Sequence, residues 1–391
     1  MRFSTKSLAL WGLFFLAGCS SLQPNAKTNN QSTTSDRLKL QMEKTWVRPT
    51  TATTDVGYRK NVRMSPIILK DRILQGNAFD GIVAVNRENG QILWRFPVVG
   101  GVEGGAAVIK DKVFFGGNDG YFYSVSVSTG LMLWKTPARA ETLSAPVVED
   151  GLVYFLTGNN VLYALDATDG REVWLYSRVD SQNLSIRGAS SPLVKNGVLF
   201  LGFSDGYLVA LDARSGGLRW EIALNKNKRF RDVDSAPVVD GEYLYVTGYD
   251  SHLYCVNLQS GDLVWKSEPG GFGSVLIKGD FLFYASSNGQ VLGLNKKDGS
   301  QVWKYQLSEG IATAPVLFGD HVVFGESNGA LKVLRFKDGV GIGTMSPGHG
   351  IFSPIAVDQE KNELYFSSNS ALLYKIKASW FNEREQFPWL L

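Results

Sequence analysis

The chain has 391 residues, 44% of them hydrophobic and 20% charged, with a formal net charge of +3 at pH 7. This nearly neutral balance excludes the basic surface that binding to nucleic-acid phosphates requires, so we expect no nucleic-acid partner. The length would allow two or three domains, but an internal repeat favours one large ring.

Residues 1–18 have the features of a bacterial signal peptide. Arg2 and Lys6 supply positive charge, and residues 8–16 form an apolar core that is too short to span a bilayer. At the end of this segment, Leu16-Ala17-Gly18-Cys19 resembles a lipobox, the processing site of bacterial lipoproteins. A secretory signal without lipid attachment is the alternative interpretation.

The lipobox resemblance implies cleavage before Cys19, with diacylglycerol on its sulfur and an acyl chain on its new amine. Ser20 stands where an aspartate would favour the inner membrane, so the resemblance points to the periplasmic face of the outer membrane. Several acyl chains are sufficient for stable anchoring. Cleavage removes two of the 40 basic residues and none of the 37 acidic ones, which leaves 38 against 37 and a net charge of +1.

After Cys19, the chain up to residue 43 is rich in Ser, Thr, Asn and Gln and has almost no apolar residue before Leu38. Such a composition cannot bury enough apolar surface to fold. We therefore expect residues 19–43 to form a lipidated, disordered tether with a root-mean-square reach of roughly 25–30 Å.

Residues 44–377 repeat one unit, in which a glycine stands four positions before a tryptophan. The example from Ala164 to Trp174 predicts a strand, a tight turn at Gly170 and a second strand. The six pairs are Gly90/Trp94, Gly130/Trp134, Gly170/Trp174, Gly216/Trp220, Gly261/Trp265 and Gly299/Trp303. Successive tryptophans are 40, 40, 46, 45 and 38 residues apart, the length of a four-stranded propeller blade.

Two other features of the unit occur eight times each. The hairpin turns are Asp80-Gly81, Asp119-Gly120, Asn159-Asn160, Asp205-Gly206, Asp250-Ser251, Asn288-Gly289, Asn328-Gly329 and Asn369-Ser370. The markers of an inner strand are Pro66, Ala107, Pro146, Pro192, Pro237, Ser274, Pro315 and Pro354. The glycine turn before an outer strand occurs only seven times, so the eighth blade lacks an outer strand of its own.

We therefore predict an all-β, eight-bladed β-propeller of four-stranded antiparallel blades, with a ring closed by the N-terminal strand. The strand around Trp46 is expected to pair with residues 372–376 and so to complete the last blade. Closure of this kind covers two sheet edges that could otherwise pair with other chains.

The last segment, residues 378–391, is expected to lie outside the ring strands. It is dense in aromatic residues, has Pro388 and shows no alternation of apolar and polar positions. We expect it to pack over the seam between the last and first blades; binding to a partner is the alternative.

The sequence offers little for catalysis. The three histidines His252, His321 and His349 have no metal-ligand spacing, and Cys255 is expected to be a small buried residue. The aspartates recur with the blade period, which favours roles in turns over roles in catalysis. We therefore expect no enzyme activity, no metal and no cofactor.

The repeat itself resembles the tryptophan-docking motif of quinoprotein dehydrogenases, which bind pyrroloquinoline quinone in a propeller. That resemblance makes a quinone-dependent enzyme the main alternative function. The chain has none of the vicinal cysteines of that family, and packing between blades accounts for its periodic tryptophans. We interpret the motif as a predictor of fold rather than of redox chemistry.

Two connectors between blades are unusually long. Trp174 and Pro192 are 18 positions apart and Trp220 and Pro237 are 17 apart, whereas Trp134 and Pro146 are 12 apart. The long connectors follow consecutive blades, so we expect them side by side on one face of the ring. Loops on a rigid scaffold often carry function.

The contents of these connectors resemble the signature loops of the BamB family, the lipoprotein subunits of the outer-membrane β-barrel assembly machinery. The first contains Leu184-Ser185-Ile186-Arg187-Gly188 and the second Asp232-Val233-Asp234. The resemblance covers nearly the whole chain and is strongest over residues 180–265. The chain departs from the family at Gly343, where a tryptophan is expected, and in residues 378–391, which extend past the usual final strand.

The resemblance implies a non-enzymatic scaffold that binds the periplasmic POTRA domains of the insertase BamA and assists outer-membrane protein folding. The implied BamA-facing residues are Leu184, Ile186, Arg187, Asp232 and Asp234, and we expect all five to lie on loops outside the blade core. Unfolded outer-membrane proteins are a further implied partner, and a generic periplasmic binding propeller is a further alternative. An ion pair between Arg187 and the two aspartates that only orders the loops is the structural alternative for the site.

Overall fold

The computed structural model describes residues 38–52, 62–178, 190–225, 231–249 and 252–382. The described residues form eight four-stranded antiparallel sheets in succession around a ring, so the predicted eight-bladed propeller is confirmed. The predicted signal peptide, Cys19 and the Asp250-Ser251 hairpin lie outside the described residues. In this part of the chain, no helix has the length and apolar character needed to cross a bilayer.

The strands of blades 1 and 2 are β2 (Ile67–Ile68), β3 (Arg72–Asn77), β4 (Gly81–Asn86), β5 (Ile92–Pro97), β6 (Ala106–Ile109), β7 (Lys112–Gly116), β8 (Tyr121–Ser126) and β9 (Met132–Pro137). Those of blades 3 and 4 are β10 (Val147–Glu149), β11 (Leu152–Leu156), β12 (Val161–Asp166), β13 (Glu172–Ser177), β14 (Leu193–Lys195), β15 (Val198–Gly202), β16 (Tyr207–Asp212) and β17 (Leu218–Ala223).

The strands of blades 5 and 6 are β18 (Val238–Asp240), β19 (Tyr243–Thr247), β20 (Leu253–Asn257), β21 (Leu263–Ser267), β22 (Leu276–Lys278), β23 (Phe281–Ala285), β24 (Gln290–Asn295) and β25 (Gln301–Gln306). Those of blades 7 and 8 are β26 (Val316–Phe318), β27 (His321–Gly325), β28 (Leu331–Arg335), β29 (Gly341–Met345), β30 (Ala356–Asp358), β31 (Glu363–Ser367), β32 (Leu372–Asn382) and β1 (Leu38–Pro49).

The core lies between neighbouring blades. The two middle strands of each blade, such as β11 and β12, are buried on both faces, which explains their continuous apolar runs. The outer strands are half exposed because only one face meets a neighbour. One core cluster, for example, joins Leu74 of blade 1 to Phe115 of blade 2.

Each repeated glycine packs under the tryptophan of the preceding blade. Gly170 has a φ of 75°, and an added Cβ would lie 2.5 Å from the ring of Trp134. The same contact joins Gly90 to Trp46, which puts the N-terminal strand in the place of an ordinary outer strand. The repeat of glycine and tryptophan therefore reflects contacts between neighbouring blades, because a side chain at the glycine position would displace the tryptophan ring of the preceding blade.

The predicted closure of the ring is confirmed. β1 pairs with β32 along its whole length, with Trp46 opposite Lys375 and Val47 opposite Tyr374. The register shifts at Thr45, just before the tryptophan, as it shifts at Val173 before Trp174 in blade 3. The N-terminal strand thus reproduces the local geometry of the chain-continuous blades.

The predicted boundaries of blade 8 were wrong at both ends. β1 begins at Leu38 rather than at residue 44, and β32 continues to Asn382, so residues 378–382 are strand and not tail. The extension is stable because it is also packed, with Leu40 and Met42 against Gly343 of blade 7. Residues 383–391 lie outside the described residues.

The ring has two distinct faces. The connectors between blades and the hairpins between middle strands share one face, because connector carbonyls accept hydrogen bonds from hairpin amides, as in Asn118 N–H to Gly101 at 3.0 Å and Gly158 N–H to Glu141 at 2.9 Å. We call this the connector face. The other two turns of each blade lie on the opposite face, the turn face, where Val127 N–H donates to Asp111 at 2.8 Å.

Candidate functional site

Of the predicted site, the structure describes Asp232 and Asp234 but not Leu184, Ile186 or Arg187, which lie outside the described residues. Both long connectors begin and end on the connector face, in neighbouring positions between blades 3 and 4 and between blades 4 and 5. Whether Arg187 pairs with the aspartates stays a prediction.

The second connector is held firmly where it carries the aspartates. The carbonyl of Asp232 accepts a hydrogen bond from Tyr249 N–H at 3.2 Å, the position that Gly101 and Glu141 occupy in other blades. Val233 packs on Gly202, where an added Cβ would lie 2.2 Å from the Val233 carbonyl oxygen. The backbone of Asp232 and Val233 therefore belongs to the structural repeat.

The expectation that both aspartates lie on loops outside the blade core is wrong for Asp232. Its side chain is buried, with a relative exposure of 0%. This burial follows from the hydrogen bond between Tyr249 N–H and the Asp232 carbonyl, because that bond holds the connector against the hairpin of blade 5. A substitution at Asp232 would therefore disturb the fold and cannot report on binding alone.

Asp234 faces the central axis of the ring. It lines a cavity of about 320 Å³ together with Leu143, Phe272 and Phe352, residues that come from the corresponding connectors of other blades. Burial and the nearby charge of Asp232 raise the pKa of Asp234 to about 8, and the charge of Arg63 only partly opposes them. A carboxyl group thus takes a position that three other connectors fill with the apolar side chains of Leu143, Phe272 and Phe352.

Arg63 divides the axial channel. Its side chain lines the 320 Å³ cavity at the connector face and a second cavity of about 480 Å³ deeper in the ring. The guanidinium carbon lies 5.7 Å from the centre of the Phe352 ring, within the range of a cation–π contact. Arg63 comes from the connector between β1 and β2, so ring closure places it opposite the connector of Asp234.

Arg178 fixes the root of the first long connector, and the sequence analysis did not identify it. Its guanidinium donates to Asp205 and Glu221 of blade 4, each at 2.6 Å, and lies 4.4 Å from the centre of the Tyr207 ring. Burial alone would lower the pKa of Arg178, but these two hydrogen bonds raise it above its ordinary value.

A signal for Arg178 was present in the sequence. In the other five blades that have a glycine–tryptophan pair, the residue four positions after the tryptophan is apolar. These residues are Val98, Ala138, Leu224, Pro269 and Leu307, whereas blade 3 has Arg178 at this position. A charged residue at a repeat position that is otherwise apolar indicates a contact that is specific to its blade.

The described residues do not assemble a metal centre. They contain no group of three or more His, Cys, Asp or Glu side chains that could hold a metal ion. Cys255 is buried, as expected, and burial raises the pKa of its thiol to about 11, which keeps it protonated and unreactive at neutral pH.

Comparison with known proteins places the repeat in a family. A family model described as "Outer membrane protein assembly factor BamB" matches residues 79–305 and 286–343. The Escherichia coli protein of that name is 27% identical over 207 residues, which are 51% of this chain and 52% of the relative. The aligned part thus spans about half the length of this curated relative.

Solved structures agree on the fold. The crystal structure of BamB from Moraxella catarrhalis superposes with a TM-score of 0.73 at 20% identity, covering 86% of this chain and 99% of that one. A quinohemoprotein alcohol dehydrogenase from Comamonas testosteroni gives a TM-score of 0.70 at 11% identity, covering 86% and 76%. At such identities the likeness shows the propeller alone.

Proposed function

The chain belongs to the family of outer membrane protein assembly factors named BamB, and we propose that it acts as a non-enzymatic scaffold of the β-barrel assembly machinery. In this proposal, lipid on Cys19 anchors the chain at the periplasmic face of the outer membrane. The connector face binds the POTRA domains of BamA, and the ring assists the folding of outer-membrane proteins without catalysing a reaction. The family match over residues 79–343 carries the proposal.

The direction of β1 supports this orientation. Thr50, just after β1, donates to the Ala371 carbonyl at 2.9 Å beside the last hairpin of the connector face. The other end of β1, at Leu38, therefore lies toward the turn face. In this proposal the tether joins the ring on the turn face and leaves the connector face open to a partner in the periplasm.

Arg178 supports the choice of surface. Its two carboxylate partners hold the first long connector to blade 4, next to the second long connector. Fixing loop roots before binding reduces the entropy that binding must remove. We propose Leu184, Ile186 and Arg187 as the contacting residues, with Asp234 at the border of the axial cavity and Asp232 as an internal support.

The test is copurification of BamA with an affinity-tagged chain from detergent-solubilised envelopes. The variant Leu184→Ala with Arg187→Ala should lose BamA and keep the melting temperature, because interface anchors can contribute roughly 2 kcal/mol or more to binding. The matched control is Val99→Ala with Arg139→Ala, an exposed aliphatic residue and an exposed arginine on other connectors of the same face. Retention of BamA by the first variant would refute the proposed site, and absence of BamA from the wild-type eluate would refute the proposed function.

A further inference from the structure

The seam between blades 7 and 8 differs from the seams formed by tryptophan docking. In those seams, an outer-strand tryptophan lies on the glycine turn of the next blade. Blade 8 has no such turn, because its two outermost strands, β32 and β1, come from opposite ends of the chain. Blade 7 has Gly343 at the tryptophan position. This seam therefore lacks both the tryptophan side chain and the glycine turn on which it would dock.

Other side chains fill part of this space. A Cβ at Gly343 would lie 2.9 Å from Cδ2 of Leu40 and 3.3 Å from Cε of Met42. From β32, Trp380 stacks on His321 of blade 7, with ring centroids 4.6 Å apart and an interplanar angle of 28°. The extended strands of blade 8 therefore lie along the seam and replace part of the missing contact.

A pocket of about 490 Å³ remains open beside them on the turn face. Phe318, Phe336, Ile342 and Trp380 form the apolar part of its wall. The rest of the lining is mostly polar or charged and includes Asp320, His321, Arg335, Gln359 and Asn362. Lys337 stands at its rim, exposed, with its ammonium 6.0 Å from the centre of the Phe336 ring. An aromatic wall with an exposed lysine at its rim fits a segment that carries aromatic residues and carboxylates.

The sequence of residues 383–391 has that chemistry. They continue from Asn382, the last residue of β32 and two positions after Trp380, which forms a pocket wall. Phe387, Trp389 and two leucines are apolar, and Glu383 and Glu385 are acidic. The five residues from Asn382 to Phe387 span at most about 18 Å when extended, so Phe387 lies within about that distance of Asn382 and can reach the pocket.

We propose that residues 383–391 fold back into this pocket and cover the seam between blades 7 and 8. Phe387 and Trp389 pack on the apolar walls beside Trp380, and the two glutamates meet the rim at Lys337. The chain thereby supplies from its own C-terminal segment the aromatic cover that the other seams obtain from an outer-strand tryptophan. The inference does not depend on the proposed function.

Limited trypsin digestion of the full chain, purified in detergent, tests the proposal through the bond between Arg384 and Glu385. Proteolysis follows the population of the open segment when opening is fast. Mass spectrometry should show slow cleavage in the wild type and cleavage about tenfold faster in Ile342→Ser and in Lys337→Glu, where tenfold corresponds to about 1.4 kcal/mol of lost docking energy.

Matched controls come from blade 6, where Val302 and Lys297 hold the corresponding positions on the outer strand and its turn. Val302→Ser and Lys297→Glu should be cleaved after Arg384 as slowly as the wild type. Combining Trp389→Ser with Ile342→Ser should add nothing to the faster of the two single variants, because both would remove the same contact.

The proposal is overturned if the wild type is cleaved after Arg384 as fast as Lys337→Glu, a surface variant that leaves the ring intact. It is overturned equally if protection appears only after envelope extract is added, since the segment would then bind a partner rather than its own ring.

Discussion

Asp234 has a backbone that follows the blade repeat and a side chain that departs from it. The backbone around it follows the pattern of the other connectors, and only the side chain differs. Three of the corresponding positions hold Leu143, Phe272 and Phe352, apolar side chains that line the same axial cavity. A carboxyl group there is desolvated, and its raised pKa records an unfavourable environment for its charge.

Replacing Asp234 by Asn should change how stability depends on pH. In the folded chain the pKa is about 8, whereas the ordinary value is 3.8, so between these values the folded state binds more protons than the unfolded state. Wild-type stability therefore falls as pH rises from about 4 to about 8 through this group. The variant lacks this loss, so its melting temperature relative to wild type should rise from pH 5 to pH 8.

Thermal melts at several pH values make the measurement. Asp169→Asn, an exposed turn carboxyl on the opposite face, is the control and should follow the wild type throughout. A difference between Asp234→Asn and wild type that does not vary with pH would mean that Asp234 is ionised in the folded chain.

At the scale of the element, the paired strands β1 and β32 explain why the seventh repeat departs from the others. The tryptophan of an outer strand is useful only where a glycine turn follows in the next blade. Blade 8 offers β32 and β1 instead, and their extensions bring Leu40, Met42 and Trp380 onto blade 7. The departure at Gly343 is therefore a consequence of ring closure.

Restoring the repeat by Gly343→Trp should destabilise the chain, although the repeat pattern alone predicts the opposite. Even a Cβ at this position lies 2.9 Å from Leu40, so an indole must displace the β1 extension. Overpacking of this kind costs typically about 1–3 kcal/mol. Urea denaturation of the single variant measures the loss.

The rescue variant combines Gly343→Trp with Leu40→Ala and Met42→Ala, which make room for the ring. The triple variant should lose less stability than the sum of its separate changes, because the clash and the cavity compensate one another. Equal or greater stability of the single variant Gly343→Trp would contradict the packing described for this seam.

At the scale of the whole molecule, a buried network of charges joins the first blade to the last. Arg87 pairs with Asp358 and with Glu363, the latter at 2.7 Å, and Lys375 pairs with Glu363 at 3.1 Å. Tyr365 donates to Glu363 at 2.7 Å. Burial would raise the pKa of Glu363, but hydrogen bonds from Arg87, Tyr365 and Lys375 lower it below its ordinary value. These partners meet only when blade 8 packs on blade 1 in this register.

Lys375→Met should open the ring preferentially at this seam. The substitution leaves a buried carboxylate with too little compensating charge, and breaking such a buried pair costs roughly 3–5 kcal/mol. Hydrogen exchange should therefore accelerate in β1 and β32 before it does in blade 4. Lys278→Met is the control, because the pair of Lys278 with Asp320 is more exposed and contributes about 0–1 kcal/mol. A uniform acceleration over all blades would show that the network does not hold the seam.

The sequence by itself determined the architecture. Blade number, the seven predicted hairpins that lie within the described residues, the glycine–tryptophan docking and closure by the strand around Trp46 were predicted from the repeat and are confirmed. This was possible because each of these features depends on contacts within a blade or with its nearest neighbour. Such contacts recur with the period of the chain, so a linear pattern records them.

The tertiary structure alone decided the features that join distant parts of the chain. Leu40 meets Gly343, Arg87 meets Glu363 and Arg63 lies across the channel from Asp234, and the repeat pattern predicts none of these three pairings. The burial of Asp232 was missed for a related reason, since a loop sequence does not show which side of the connector the ring covers. Closing the ring brings these residues together, and only then do packing and desolvation select which side chains each position can hold.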